Sequence, residues 1–256
     1  MEATGGADRA RSLTRALACV FAHPDDETFA VGGTIARYAS SGVRCDLFCA
    51  TDGDAGKSSG VPVSSRAELA VIRRAELAAA AQILGVEHVE LAGHADGALP
   101  QLDAMTLIAD VVRFFRRRRP DVVISFGPEG APTGHRDHRA ISRAATTAFF
   151  LAGIPTEFAD QIAEGLAPHR PSRLFYVAWD PPAPGAELQF QSVAATAAVE
   201  VASFRERKLA AFMAHASQRH LIDRFRSLCL VEREPYALAA GVAQSHAQIG
   251  DLFEGL

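Results

Sequence analysis

Two short segments of the chain carry side chains that could bind a metal ion and move protons. The first is Ala22-His23-Pro24-Asp25-Asp26-Glu27, which places one imidazole and three carboxylates directly after an apolar run. Packing that much negative charge into a folded protein is costly unless a cation offsets it. In a His-x-x-Asp sequence at the start of a helix, His23 and Asp26 lie on nearly the same face and can share a Zn²⁺-like ion. Asp25 then remains free for proton transfer.

The second segment is Gly134-His135-Arg136-Asp137-His138. In a doubly wound sheet, the loops after the first strand and after a later strand open onto one crevice, so both segments can meet there. Catalytic zinc sites usually have three protein ligands and a water, and we expect His23, Asp26 and His138 to supply the three. Asp25 and His135 are left in the same crevice, one as a base and the other as an acid or oxyanion stabiliser. The predicted reaction is hydrolysis of an amide or ester by water on a metal ion.

The elements that must position these segments follow an alternating pattern. Strand-like apolar runs alternate with helix-like stretches, which predicts an α/β fold with a parallel sheet and helices on both faces. We predict strands at 17–22, 45–50, 88–91, 122–126 and 174–179, and helices at 28–41, 65–84, 102–118, 138–151 and 199–216. A loop is expected at 181–185, and the last forty residues give no clear pattern.

Bulk composition narrows the class of protein. The 256 residues fit one domain over 14–256 after a flexible tail at 1–13. A net charge of -4 argues against nucleic acid as a partner. No apolar run approaches the ~20 residues that span a bilayer, so we expect no membrane insertion. Four cysteines without ligand spacing predict reduced core residues in a cytoplasmic protein.

Two other motifs have less specific explanations. The stretch 51–58 nearly spells a phosphate-binding loop, but its first glycine is replaced by Thr51, and Asp52 and Asp54 would repel phosphates. This makes a phosphate-loop NTPase a third hypothesis, which predicts Mg²⁺-dependent nucleotide binding. The arginines at 116–119 are typical of a helix C-terminus, where basic residues complement the helix dipole, and Pro120 ends that helix.

Taken together, the two segments resemble the PIG-L/LmbE-like superfamily of metal-dependent de-N-acetylases. The resemblance covers most of residues 17–220. It extends to Thr51-Asp52-Gly53-Asp54-Ala55-Gly56, Arg73-x-x-Glu76, Asp96-Gly97, Lys208 and His215-Ala216-Ser217-Gln218.

The resemblance implies a Rossmann-like three-layer fold, with the active site at the C-terminal strand ends, that removes acetyl from an N-acetylglucosamine-type sugar. It implies that Asp25 is the base and that His135 stabilises charge. It also implies Zn²⁺ on His23, Asp26 and His138, a site that would accept Fe²⁺, Co²⁺ or Mn²⁺ as well. By the same resemblance, the substrate-binding residues are Arg73, Asp96 and His215. Some members have a tyrosine where this chain has Thr133.

The second hypothesis is a non-catalytic metal- or sugar-binding protein on the same fold. A binder would have no use for Asp25 and His135 as proton carriers, which favours the enzyme. The expected partner is a small amino-sugar conjugate, and a homo-oligomer is compatible with the sequence. We expect the loops at 53–65, 93–101 and 152–172 to determine which conjugate binds.

Overall fold

A single seven-stranded sheet forms the centre of the protein. The computed structural model describes residues 15–179, 192–243 and 250–256, so the predicted tail and the predicted loop at 181–185 lie outside the described residues. The strands lie in the order β3-β2-β1-β4-β5-β7-β6. The first five pair in parallel, and β7 runs antiparallel to β5 and β6. Their bounds are β1 Ala16–Phe21, β2 Arg44–Thr51, β3 His88–His94, β4 Val122–Phe126, β5 Arg173–Val177, β6 Ala197–Glu200 and β7 Arg233–Gly241.

Helices cover the sheet in two groups. Helices α1, α2 and α6 pack together, and α3 packs on α4. This confirms the predicted α/β architecture with a mostly parallel sheet between helical layers. The bounds are α1 Asp26–Ser40, α2 Arg66–Leu84, α3 Ala104–Arg118, α4 Arg136–Leu151, α5 Ala159–Ala163, α6 Arg205–Ala214 and α7 Ile222–Cys229.

Strand β1 sets the position of the site. Each of its six residues is buried, as expected for an apolar run with helices on both faces of a parallel sheet. Its neighbours are β2 on one side and β4 on the other. The strands that precede β4 in the sequence therefore extend the sheet to one side of β1, and β4 and β5 extend it to the other. The loops after β1 and β4 therefore border the crevice predicted from the sequence.

Local signals explain where the helices begin and end. The Ser65 side chain accepts a hydrogen bond from the Glu68 N–H and starts α2, and Gly85, with a φ of 88°, ends it. Asp103 caps α3 in the same way through the Thr106 N–H. Helix α3 ends at Arg118, as predicted, and is followed by Arg119 in the left-handed region and by Pro120.

The C-terminal part of the fold differs from the prediction. The predicted helix at 199–216 was wrong at its start, because Ala197–Glu200 forms β6 and the helix covers only Arg205–Ala214. Strand β7 comes from the stretch that gave no clear pattern. It contains Pro235, a residue that argues against a strand with neighbours on both sides.

Two further observations concern the whole chain. The four cysteines are free and buried, which confirms that they are core residues. Among the described helices, none combines the length and the apolar character needed to cross a bilayer.

Candidate active site and metal centre

The turn after β1 shapes the first half of the site. The Asp26 carboxylate accepts hydrogen bonds from the backbone N–H groups of Ala22 (3.2 Å) and His23 (2.8 Å). Asp25 precedes α1 with a φ of 114°, in a region that residues with a side chain rarely adopt. Its carbonyl accepts from the N–H groups of Thr28 and Phe29 in the first turn of the helix. The turn therefore holds two adjacent carboxylates at the carboxyl end of the sheet.

His23, Asp26 and His138 converge at the crevice. Asp26 Oδ1 lies 3.2 Å from His138 Nε2, and Asp26 Oδ2 lies 3.4 Å from His23 Nδ1. All three residues are buried. The His138 ring stacks on Phe126, with ring centroids 4.0 Å apart, and its Nδ1 has no hydrogen-bond partner among the described residues. Stacking on Phe126 and the contact with Asp26 thus fix this imidazole.

This donor set fits a divalent cation. Ligand atoms around a four-coordinate Zn²⁺, at about 2.0–2.2 Å from the metal, lie roughly 3.4 Å from one another. Asp26 Oδ1 lies 3.2 Å from His138 Nε2 and Asp26 Oδ2 lies 3.4 Å from His23 Nδ1, so each imidazole has such a spacing to one oxygen of this carboxylate. Two imidazoles and a carboxylate are ligands that Zn²⁺ accepts. Ring nitrogens of His23, His135 and His138 also lie within 4.8 Å of one another, so His135 is a competing ligand by distance alone.

The far side of the His23 ring faces two more carboxylates. His23 Nε2 lies 3.1 Å from Asp96 Oδ1 and 3.2 Å from Asp137 Oδ2. Asp137 also accepts from the Gly97 N–H at 2.7 Å, and Asp96 accepts from the Ala55 N–H at 3.0 Å. Carboxylates in this position orient a metal-binding imidazole. Asp96, predicted to bind a sugar hydroxyl, lines the cavity and at the same time contacts His23.

The charges around these residues favour a cation. Burial would lower the pKa of His23, but Asp137, Asp26 and Asp96 raise it well above its ordinary value. Burial would raise the pKa of Asp26, but His138 and His23 hold it well below its usual range. The site thus stabilises positive charge beside an ionised carboxylate.

His135 presents one ring nitrogen to the cavity. Its Nδ1 accepts a hydrogen bond from the Asp137 N–H at 3.2 Å, so the neutral ring carries its proton on Nε2. Loss of hydration around the ring lowers the pKa of His135, with a further contribution from His23 and His138. The residue itself is exposed. A neutral imidazole held in this way can donate a hydrogen bond to an oxygen that gains charge.

Asp25 lines the same cavity and is paired with a buried arginine. Asp25 Oδ2 lies 3.2 Å from Arg73 Nη2. Burial raises the pKa of Asp25 to about 6, and the Arg73 guanidinium opposes this shift. A carboxylate with that pKa can accept a proton and return it near neutral pH.

Arg73 is held from three sides. It is 3% exposed and donates to the carbonyl oxygens of Gly53, at 2.7 Å, and Pro24. A Cβ at residue 53 would lie 2.2 Å from Arg73 Nη1, which explains the glycine there. The sequence resemblance implied that Arg73 binds a sugar hydroxyl, but its guanidinium already holds the turn that carries Asp25.

His215 lies behind the site and not on its wall. It is completely buried, and its Nε2 lies 2.8 Å from Glu27 Oε1. Burial would lower the pKa of His215, but Glu27 raises it. His215 is absent from the described residues that line the cavity. The sequence motif pointed to His215 as a residue bordering the pocket and gave no role to Glu27.

The cavity is lined by polar side chains and by a group of apolar side chains, here called the apolar wall. Its volume is about 350 Å³. Its lining combines the carboxylates and imidazoles described above with apolar side chains that belong to one hydrophobic cluster: Phe29, Trp179, Leu221, Leu228 and Cys229. The Trp179 Nε1 atom is buried and has no hydrogen-bond partner within the described ranges.

The loops expected to determine specificity divide into two groups. Ala55 and Gly56 from the first and Asp96 and Gly97 from the second line the cavity, but no residue of 152–172 does. That segment leads into the start of β5, at the opposite end of the parallel strands. It packs around the buried Arg116, which donates to backbone oxygens at 152, 154, 157 and 158. Arg116 therefore anchors a loop, a role beyond the predicted complement to the helix dipole.

The structure does not support the phosphate-loop alternative. A phosphate-binding loop leads directly into a helix whose N-terminus faces the phosphates. Here, no described helix follows Lys57 and Ser58 until α2 begins at Arg66.

Comparison with known proteins identifies the chain's relatives. Residues 18–149 match the family model "PIG-L: GlcNAc-PI de-N-acetylase". The chain is 31% identical over 288 residues to the 1D-myo-inositol 2-acetamido-2-deoxy-alpha-D-glucopyranoside deacetylase of Rhodococcus erythropolis, and the match covers 94% of this chain and 97% of that protein. The chain spans only 55% and 61% of two other curated deacetylases that it matches.

Solved structures show the same fold. The N,N'-diacetylchitobiose deacetylase of Pyrococcus horikoshii superposes with a TM-score of 0.73 and 22% identity, over 93% of this chain and 94% of that one. GalB, a 4-carboxy-2-hydroxymuconate hydratase of Pseudomonas putida, superposes with a TM-score of 0.72 and 20% identity, over 91% and 99%. Because the fold carries both a deacetylase and a hydratase, the reaction must be argued from the site.

Proposed function

Because the chain belongs to the PIG-L family of de-N-acetylases, we propose that it is a metal-dependent hydrolase that removes the N-acetyl group from an N-acetylglucosamine-type sugar or a conjugate of one. The curated relatives are named as deacetylases of such substrates. One observation carries the proposal. A carboxylate with a raised pKa, a neutral imidazole and a buried His₂Asp donor set all face one cavity.

His23, Asp26 and His138 would hold the metal ion. Zn²⁺ is our first choice, and Fe²⁺, Co²⁺ or Mn²⁺ would also be accepted by these ligands. The bound ion would supply Lewis acidity toward the amide carbonyl and the attacking water.

Asp25 is the proposed base. It takes a proton from water as the water oxygen bonds to the carbonyl carbon, and its pKa of about 6 leaves most of the carboxylate ionised at neutral pH. It then returns that proton to the nitrogen as the C–N bond breaks. The products are acetic acid and the free amine, which together hold all the atoms of the amide and the water. The acid then gives up its proton, so that acetate and the ammonium form of the amine result and charge balances.

His135 is the proposed stabiliser of the carbonyl oxygen. Its Nδ1 is engaged by the Asp137 N–H, so Nε2–H is the group available to an oxygen that gains negative charge. Asp137 and Asp96 keep the His23 ring in place from its other nitrogen.

We keep the prediction that the protein works in the cytoplasm. Its four free, buried cysteines support a reducing compartment.

The test is release of free primary amine from a panel of N-acetylglucosamine conjugates by zinc-loaded protein, with and without a chelator. We expect chelator-sensitive release that returns when zinc is restored. Saccharide binding without amine release would favour the non-catalytic hypothesis, and no release from any sugar would move the assignment to another substrate.

A further inference from the structure

Asp25 has an unusual backbone conformation that something must hold in place. Its φ is 114° and its ψ is -26°. In the described part of the chain, the other non-glycine residues with positive φ, Arg119 and Phe158, have φ values of 50°, near the ordinary left-handed region. A residue with a side chain keeps such a strained conformation only when its surroundings determine it.

The Glu27 carboxylate contacts the backbone of Asp25. Glu27 Oε2 accepts a hydrogen bond from the Asp25 N–H at 3.0 Å. Its other oxygen, Oε1, accepts from the Thr28 hydroxyl at 2.6 Å and lies 2.8 Å from His215 Nε2. Glu27 is 1% exposed and His215 is fully buried, so neither side chain has room to turn away.

His215 is itself fixed to the body of the protein. It follows α6, and its neighbour Ser217 donates two hydrogen bonds of 2.7 Å, from N–H and from Oγ, to the Glu76 carboxylate on α2. The backbone of Asp25 is thus connected through Glu27 to His215, which lies 188 residues beyond Glu27 in the sequence.

We propose that Glu27, held by His215, is a positioning residue that keeps Asp25 in its strained conformation and so directs the Asp25 carboxylate into the cavity and toward Arg73. This inference deepens the proposed function and rests on it for the role of Asp25 as base. Neither Glu27 nor His215 lines the cavity among the described residues, so both act through Asp25.

A purely structural role is the competing explanation. An acidic side chain in the first turn of a helix stabilises that helix whatever its neighbours do. That explanation predicts a loss of stability in a Glu27 variant, with the conformation of Asp25 unchanged.

The first experiment needs no substrate. We would determine crystal structures of the zinc-loaded double variant Glu27→Met/His215→Phe, in which no buried charge is left alone. The matched control is Tyr38→Phe/Asp251→Asn, which removes a carboxylate contact of 2.9 Å near the other end of α1 without touching Asp25, Glu27 or His215. We expect Asp25 to leave the positive φ region and lose its contact with Arg73 in the first variant only. Retention of the φ near 114° and of the 3.2 Å contact would overturn the proposal.

The second experiment measures turnover. We expect Glu27→Met/His215→Phe to lower kcat at least tenfold with KM and bound zinc unchanged, and the Tyr38/Asp251 control to leave kcat within twofold. In an Asp25→Asn background the same double substitution should cause no further loss, because its effect passes through Asp25. If the double substitution lowers kcat by the same factor in the Asp25→Asn background as in the wild type, the proposal is overturned.

The proposed function and the positioning role of Glu27 can fail independently of each other. If the wild type releases no amine from any sugar, the proposed function fails, and the crystal structures still decide the positioning. If the double variant does not fold, His215→Gln and His215→Leu replace it. Glutamine can still donate to Glu27, so it should retain kcat while leucine lowers it, and equal kcat values would contradict the proposal.

Discussion

Arg73 and Asp25 both line the cavity and form an ion pair there, with 3.2 Å between Arg73 Nη2 and Asp25 Oδ2. Arg73 also binds the carbonyl oxygens of Gly53 and Pro24, so one guanidinium connects the turn after β1 to the turn after β2. This geometry makes Arg73 a support for Asp25, and because Arg73 also lines the cavity, its predicted role in sugar binding stays a prediction.

Replacing Arg73 by lysine should therefore lower kcat and not mainly raise KM. A lysine ammonium cannot reproduce the fork of donors. We expect at least a tenfold loss of kcat and a loss of about 1–3 kcal/mol in the free energy of unfolding, because buried carbonyl groups lose their donors. Steady-state kinetics and urea unfolding measure both. Arg233→Lys, at an exposed pair with Glu200, is the control and should change neither. A rise in KM without a fall in kcat would contradict this prediction and support the role of Arg73 in sugar binding.

Metal binding separates the two nearby histidines. We expect His138→Ala to lose bound zinc, and His135→Ala to keep it while kcat falls by about 10²–10³, the usual result of removing an oxyanion donor. Elemental analysis after dialysis gives the zinc content. The distances also allow a set of His23, His135 and His138. Equal loss of zinc in both variants would favour that set over the one with Asp26.

The apolar wall of the cavity predicts a substrate preference. A conjugate that buries about 50–100 Å² of apolar surface on Phe29, Trp179 and Leu228 should bind roughly 8- to 70-fold more tightly than free N-acetylglucosamine, from roughly 25 cal/mol per Å². We expect a lower KM for aryl or alkyl glycosides than for the free sugar. Leu228→Asn should remove the difference, and Val242→Asn, at an exposed position, should not. A polar conjugate as the best substrate would contradict this prediction.

Stability should depend on pH through His169, which is remote from the cavity. Its Nε2 donates to the Pro120 carbonyl at 2.7 Å, and burial together with Arg119 and Arg44 lowers its pKa, opposed by Pro120 and Asp121. Since the unfolded chain takes up a proton near pH ~6.5 and the folded protein resists it, this stabilisation is present at pH 7 and lost as the pH falls. Urea unfolding at pH 7 and pH 5 should show a smaller acid loss in His169→Gln. An equal or larger loss in that variant would contradict the assignment.

The sheet and the convergence of the two motifs could be predicted because their signals are local. The apolar run of β1, and the helix ends at Gly85 and Pro120, are read from neighbouring residues. Strands β6 and β7 were not predicted, because Pro235 and the helix-like pattern after 199 conceal an antiparallel pairing that distant partners determine.

The roles of Glu27 and Arg73 in holding Asp25 were not predicted, for a related reason. Glu27 was visible within the first motif, but its role depends on His215, which is 188 residues away. For Arg73, the sequence predicted a contact with the substrate but could not report that its side chain is 3% exposed and paired with Asp25. Composition and spacing name the chemical groups, whereas tertiary packing decides which of them face the substrate.

The role of Asp25 is the central claim, and one comparison tests it most directly. Wild type and Asp25→Asn would be loaded with zinc to equal content and assayed for amine release from the best N-acetylglucosamine conjugate. We predict a fall in kcat of at least 10², with zinc content and KM little changed. Undiminished release by a fully zinc-loaded Asp25→Asn protein would show that Asp25 is not the base.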